Sequence, residues 1–81
     1  MNLQVLTPDK TIYEGEVDSV IVPGSKGSFE VLHNHAPIVS SLNKGEVRIK
    51  SKQGSKSINI DSGFIEVLDN KVVILAEGIA Q

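Results

Sequence analysis

The chain has 81 residues, a formal net charge of -2 and no cysteine, which bounds it to one small domain without disulfides or thiolate metal sites. A domain this small buries only about 60% of the surface its unfolded chain exposes, so a partner can contribute to its stability. Acidic and basic residues are mixed, one Tyr, two Phe and no Trp offer no stacking platform, and no apolar run approaches the ~20 residues of a membrane helix. Nucleic acid and a helical membrane span are therefore disfavoured.

The informative segments alternate with a period of two. Leu3 and Val5 alternate with Asn2 and Gln4, and Thr7-Pro8-Asp9-Lys10 reads as a turn. Thr11 to Val17 is a second strand, with a bulge expected at Gly15. Val20-Ile21-Val22 is continuously apolar, which predicts a central strand.

The stretch Pro23 to Leu42 opens with the turn Pro-Gly-Ser-Lys-Gly and runs through an apolar strand at Phe29 and Val31. It bends at His33-Asn34-His35-Ala36-Pro37 and re-enters an apolar segment at Ile38-Val39. Two rigid loops bracketing a strand are expected here, rather than a catalytic cleft.

Further on, Val47 and Ile49 face one way while Arg48, Lys50 and Lys52 face the other. A two-residue turn is expected at Gly54-Ser55, after which Ile58 and Ile60 return. Gly63 is read as the start of a new strand, in which Ile65 and Val67 share a face. Asp69-Asn70 closes a hairpin into Val72-Val73-Ile74-Leu75. No window shows the i, i+3, i+4, i+7 recurrence of an amphipathic helix. The expectation is an all-β fold over residues 1–81, a flattened sandwich or barrel of about ten short strands.

Motifs that suggest chemistry fare poorly. Gly24-Ser25-Lys26-Gly27-Ser28 has two residues between its glycines and precedes a strand. A phosphate loop needs four, then a Lys-Ser/Thr pair opening a helix whose N–H groups hold the phosphate. His33 and His35 would share a face in an extended segment, yet no further His or Cys supplies a third metal ligand. Ser28, Ser40 and Ser41 lie near the histidines without the spacing of a triad. Lys10 and Lys71 sit at turns, which invites comparison with lipoyl or biotinyl carrier domains. Those carry their lysine mid-chain in an Asp-Lys-Ala or Met-Lys-Met setting, which is absent here. A carbohydrate-binding sandwich would want more exposed aromatics. No catalytic residue, cofactor or metal is expected.

The residues do form a recognisable set. Thr7-Pro8, Tyr13-Glu14-Gly15, Val22-Pro23-Gly24-Ser25-Lys26-Gly27-Ser28-Phe29, Val31-Leu32, His35-Ala36-Pro37 and Leu42-Asn43-Lys44-Gly45 come first. Gly63-Phe64-Ile65-Glu66-Val67 and Val72-Val73-Ile74-Leu75-Ala76 follow in order. In this order they resemble the epsilon subunit of F-type ATP synthases, called delta in mitochondria.

The resemblance implies a ten-stranded sandwich at the foot of the central stalk, a non-catalytic rotor subunit packed against gamma and resting on the polar loops of the c-ring. It implies proton-driven rotation coupled to ATP synthesis, at the cytoplasmic face of a bacterial inner membrane, with peripheral attachment. The c-ring contact would fall on Gly24, Ser25, Lys26, Gly27, Ser28 and Glu30, with Thr7 and His35 facing gamma or the c-ring. Two departures stand out. Ser28 occupies a place where relatives often carry an acidic residue, and Glu30 one where many have glycine. Relatives also usually continue into a helical hairpin that can inhibit hydrolysis and in some bacteria binds ATP; none is expected within these residues, which stop at Ala80-Gln81. Accordingly, calorimetric titration of the chain with ATP is expected to show no specific binding, and a micromolar isotherm would overturn that expectation.

Overall fold

The computed structural model describes residues 1–80, the side chain of Ala80 excepted; Gln81 lies outside the described residues. Within them the fold is all-β: β1 (Asn2–Leu6), β2 (Thr11–Glu16), β3 (Ser19–Val22), β4 (Phe29–Leu32), β5 (Ile38–Leu42), β6 (Gly45–Ser51), β7 (Gly54–Leu68) and β8 (Lys71–Ala80). The strands hydrogen-bond in the order β2-β1-β8-β7-β6-β3-β4, and β5 pairs with β7. All pairings are antiparallel except β1 with β8.

Eight strands do the work of ten because two are long. β7 pairs with β6 through Gly54–Ile60 and with β5 through Gly63–Val67. β8 pairs with β1 only through Lys71–Leu75, while its second half pairs with β7 alone. One layer therefore contains β2, β1, the first half of β8, the second half of β7 and β5. The other contains the second half of β8, the first half of β7, then β6, β3 and β4. The molecule spans 27 × 27 × 19 Å, flattened as two stacked sheets require.

The division falls at Asp61 and Gly78. The β7–β8 ladder is interrupted only at this pair. Before it β7 buries Ile58 and Ile60, at even positions; after it Gly63, Ile65 and Val67, at odd ones. β8 shifts with it, from buried Val72, Ile74 and Ala76 to Ile79, which packs against the core. One extra residue on each strand keeps the register while turning both strands, as paired bulges do. Gly78 has φ +75°, and a side chain there would run into the Asp61 carboxylate. No new strand begins at Gly63: β7 runs through, and the change of parity there is the bulge.

Two other details differ from the sequence reading. The β1–β2 register shifts between Val5↔Tyr13 and Leu6↔Thr11, so the bulged residue is Ile12, not Gly15. The β6–β7 turn is Lys52-Gln53, because Ser51 pairs with Gly54, whose φ of +121° closes it. Asp69 and Asn70 do form the expected hairpin, with φ of 49° and 60°, the two positive values of a type I′ turn.

The core is aliphatic. Leu3, Val5, Val20, Val31, Ile49 and Ile65 are among its fully buried members, with Phe29 and Tyr13 at its margin. No buried side-chain polar atom among the described residues lacks a hydrogen-bond partner. At one end of the sandwich the two asparagines at positive φ clasp each other. The Asn34 N–H donates to Asn70 Oδ1 (2.6 Å), Asn70 Nδ2 donates to Asn34 Oδ1 (2.9 Å), and the Asn2 N–H donates to the Asn70 carbonyl (2.9 Å).

These contacts predict stability changes measurable by denaturant unfolding. Gly63→Ala directs a methyl group at the Leu75 carbonyl, 3.3 Å from Ala76 Cα, and is expected to cost about 1–3 kcal/mol. Asn70→Ala loses the clasp and forces a left-handed residue, for about 1–2 kcal/mol, whereas Asn70→Gly should lose less because its φ is unstrained.

Candidate functional site

Pro23 to Ser28 connects β3 to β4, and its shape comes from two glycines used differently. Gly27 has φ +125° with open space around it, so its role is conformational. Gly24 has no positive φ; it is small because a Cβ there would stand 2.6 Å from the Gly27 carbonyl oxygen and within 2.9 Å of the Phe29 ring. The Gly27 N–H donates to the Gly24 carbonyl (3.0 Å), closing the turn.

The turn is tied to β5. Gly24 forms a bridge with Leu42, the Ser25 N–H donates to the Ser41 carbonyl (3.0 Å), and the Asn43 N–H donates to the Pro23 carbonyl (2.8 Å). The Ser25 and Ser41 hydroxyls lie 2.7 Å apart. Pro23 also packs against Gly45, where a Cβ would approach the ring to 2.9 Å. Two backbone hydrogen bonds, a hydroxyl pair and a packing contact hold this loop at one edge of the sandwich.

Gly24, Ser25, Lys26, Gly27 and Ser28 line one side of an open groove of about 650 Å³, with His35 at one end and Ile38 to Ser41 opposite. Glu30 and Thr7 do not join it. Glu30 is exposed on β4, in register with Ile21, which pairs in turn with Arg48 on the outer face of the second layer. Thr7 closes the β1–β2 turn: its hydroxyl donates to the Lys10 carbonyl (3.2 Å) and accepts from the Asp9 and Lys10 N–H groups.

The histidines do not share a face of an extended segment. They occupy a turn in which Asn34 takes φ 65° and the His35 N–H donates to the Leu32 carbonyl (3.1 Å). His35 Nδ1 lies 2.6 Å from the Ala36 carbonyl oxygen, which engages that nitrogen locally.

A second feature was not singled out from the sequence. The outer face of the first layer carries Val39, Phe64, Leu68 and Leu75, each more than half exposed. The ladders set Ser41, Phe64, Leu75 and Leu6 in one cross-strand row and Val39, Glu66, Val73 and Gln4 in the next. A signal was present: four consecutive apolar residues at Val72 to Leu75, and Phe64 in the polar phase of its strand, describe a sheet covered on both faces. Val39, Phe64 and Leu75 form a contiguous apolar surface beside the groove.

Comparison with known proteins agrees with this architecture. The family model for the ATP synthase, Delta/Epsilon chain, beta-sandwich domain matches residues 1–81. The chain is similar to the ATP synthase epsilon chain of Leptospira borgpetersenii, with 48% identity over 77 residues covering 95% of this chain and 61% of that protein. It is also similar to the epsilon chain of Chlorobium limicola, with 40% identity over 79 residues covering 96% of this chain and 90% of that protein. The chain thus spans about three-fifths of the Leptospira relative's length and most of the Chlorobium one. Among solved structures, a chain of the Euglena gracilis mitochondrial ATP synthase superposes with a TM-score of 0.88 at 23% identity, covering 96% of this chain and 51% of that one. A chain of the Tetrahymena thermophila mitochondrial ATP synthase central stalk and c-ring gives 0.84 at 16% identity, covering 99% and 65%. At those identities the likeness speaks for the fold, while the family model spans the whole sequence. The chain belongs to the ATP synthase delta/epsilon chain family, as its beta-sandwich domain.

Proposed function

We propose that this domain is a non-catalytic element of the central stalk of an F-type ATP synthase, coupling rotation of the c-ring to gamma. The observation that carries the reading is the family match over residues 1–81. It is supported by relatives named as epsilon chains and by folds shared with chains of ATP synthase assemblies. The domain would sit peripherally at the membrane through the complex, on the cytoplasmic face in a bacterium, and bind no nucleotide or nucleic acid of its own.

Two surfaces divide the labour. The Gly24–Ser28 turn meets the polar loops of the c-ring, because a torque-bearing contact must not yield and this loop is tied to β5 at Pro23 to Ser25 and closed by the Gly27–Gly24 bond. Lys26 and Ser28 are exposed on it. Exposed ion pairs contribute only ~0.2–1 kcal/mol, so shape outweighs charge in this contact. The apolar outer face around Val39, Phe64 and Leu75 docks on gamma, since soluble domains rarely leave such a surface uncovered. Glu30, on the outer face of the other layer, is assigned a lesser part, and Thr7 is a turn cap first. Nothing favours a lipoyl or biotinyl carrier: Lys71 lies within the sheet, in register with both Leu68 and Asn2.

In the assembled complex, Ser28→Cys is expected to cross-link to cysteines placed in the c-ring loop, and Asn59→Cys, exposed on β7, is not. Cross-linking from Asn59 alone would place the contact on the other layer. Gly27→Val is expected to destabilise the domain by about 1–3 kcal/mol through backbone strain at φ +125°, and to reduce coupled ATP synthesis more than Lys26→Glu does.

A further inference from the structure

The two-layered sheet leaves four strand edges open among the described residues: β2 and β5 in the first layer, β4 and the second half of β8 in the second. Open edges invite pairing with another chain, and proteins blunt them with charge. β2 carries Glu14 and Glu16, β4 carries Glu30, and the second half of β8 carries Glu77. β5 reads Ile-Val-Ser-Ser-Leu and carries no charge at all.

Its backbone polarity follows from two bonds. The Ser41 carbonyl accepts from the Ser25 N–H, and the Asn43 N–H donates to the Pro23 carbonyl, so odd-numbered peptide groups of this segment face away from β7. Ile38, Ser40 and Leu42 hence bond β7, and the N–H and carbonyl of Val39 face the open side. No backbone bond outside the ladders reaches Val39 among the described residues. Its side chain, 72% exposed, stands at the rim of the apolar face.

Gly24 and Ser25 are a two-residue stub of a strand beside β5, which the chain abandons at Lys26. We infer that β5 is completed by an extended segment of the docking partner, which enters in line with this stub and exchanges both backbone hydrogen bonds with Val39. The inference rests on the reading of the apolar face as the gamma-docking surface, and specifies how the rim of that face is engaged. Alternation fixes the segment's chemistry. The residue opposite Val39 lies on the outer face and is apolar, continuing that surface. Its neighbours point into the groove, where Phe29 and Ile38 offer apolar contact and Lys26 favours a carboxylate.

A second copy of this chain fits worse. Two β5 edges meeting about a two-fold axis at Val39 would set Pro37, which has no N–H, opposite Ser41, whose edge Ser25 already occupies.

The test uses the whole chain and the gamma subunit of the same complex. Amide hydrogen exchange followed by NMR should show the Val39 N–H slowed about a hundredfold on gamma binding, while Ile38 and Ser40, already bonded to β7, change little. Val39→Pro keeps the β5–β7 ladder but removes the outward donor, and should weaken gamma binding about tenfold or more. Val39→Thr, which keeps the backbone, should change it less than about threefold. Val39 exchange unchanged in the complex, or full affinity in a folded Val39→Pro variant, overturns the strand pairing and leaves the docking reading standing. Should the proline variant fail to fold, the exchange measurement on the unaltered chain decides. Failure of the unaltered chain to bind gamma removes both. Protection of Val39 in the free chain together with dimerisation assigns the edge to self-pairing and overturns the inference.

Discussion

Everything in this fold hangs on the paired bulge at Asp61 and Gly78. Were Asp61 and Gly78 ordinary ladder residues rather than a bulge, β7 and β8 would remain one flat ribbon, and Ile58 and Ile60 would lie on the opposite face from Ile65 and Val67. With it, all four enter one core, and a single sheet supplies both layers. The requirement is local and stringent: both strands must shift together, or the register between them breaks. Glycine at position 78 supplies the left-handed backbone on one side, and the side chain of Asp61 fills the space beside it on the other.

The same division sets out the surfaces. Because β6 holds the first half of β7 and β5 the second, a gap opens between β5 and the β3–β4 connection, and the Gly24–Ser28 turn spans part of it. The groove, the loop and the apolar face of the first layer are neighbours for that reason. A rigid polar loop and an apolar sheet face at one edge suit a body clamped between two others, with adhesion on one surface and grip on the next.

Much of this was legible in the residues. Period two over Val47–Ile49, Ile58–Ile60 and Ile65–Val67 gave the strands and their inward faces, and Asp69-Asn70 named its own turn. The join at Ile60 to Gly63 was misread because a parity change without a turn looks like a strand boundary when only one strand is in view. Its meaning depends on β8 changing parity opposite it, which is long-range information. Position 24 illustrates a similar limit: glycine there reads as a source of turn freedom, whereas its φ is ordinary and its size is dictated by the Gly27 carbonyl and the Phe29 ring crowding it. Gly24 to Ser28, assigned to the loop contact, share the groove with His35, assigned separately to gamma or the c-ring. Glu30 was displaced by the simple fact that a strand alternates, and its phase set it on the outer face of the other layer.

The parallel pairing of β1 with β8 has a consequence for how the protein is made. Asn2–Leu6 leaves the ribosome before the other strands of this domain, and its partner Lys71–Leu75 is among the last of them. Until that partner emerges, Leu3 and Val5 can pair only with β2, and a lone two-stranded hairpin is marginal in water. The nascent chain therefore carries β1 unsatisfied while nearly all the rest of this domain is made. The sandwich closes in one late step, as a zip whose first tooth meets its last.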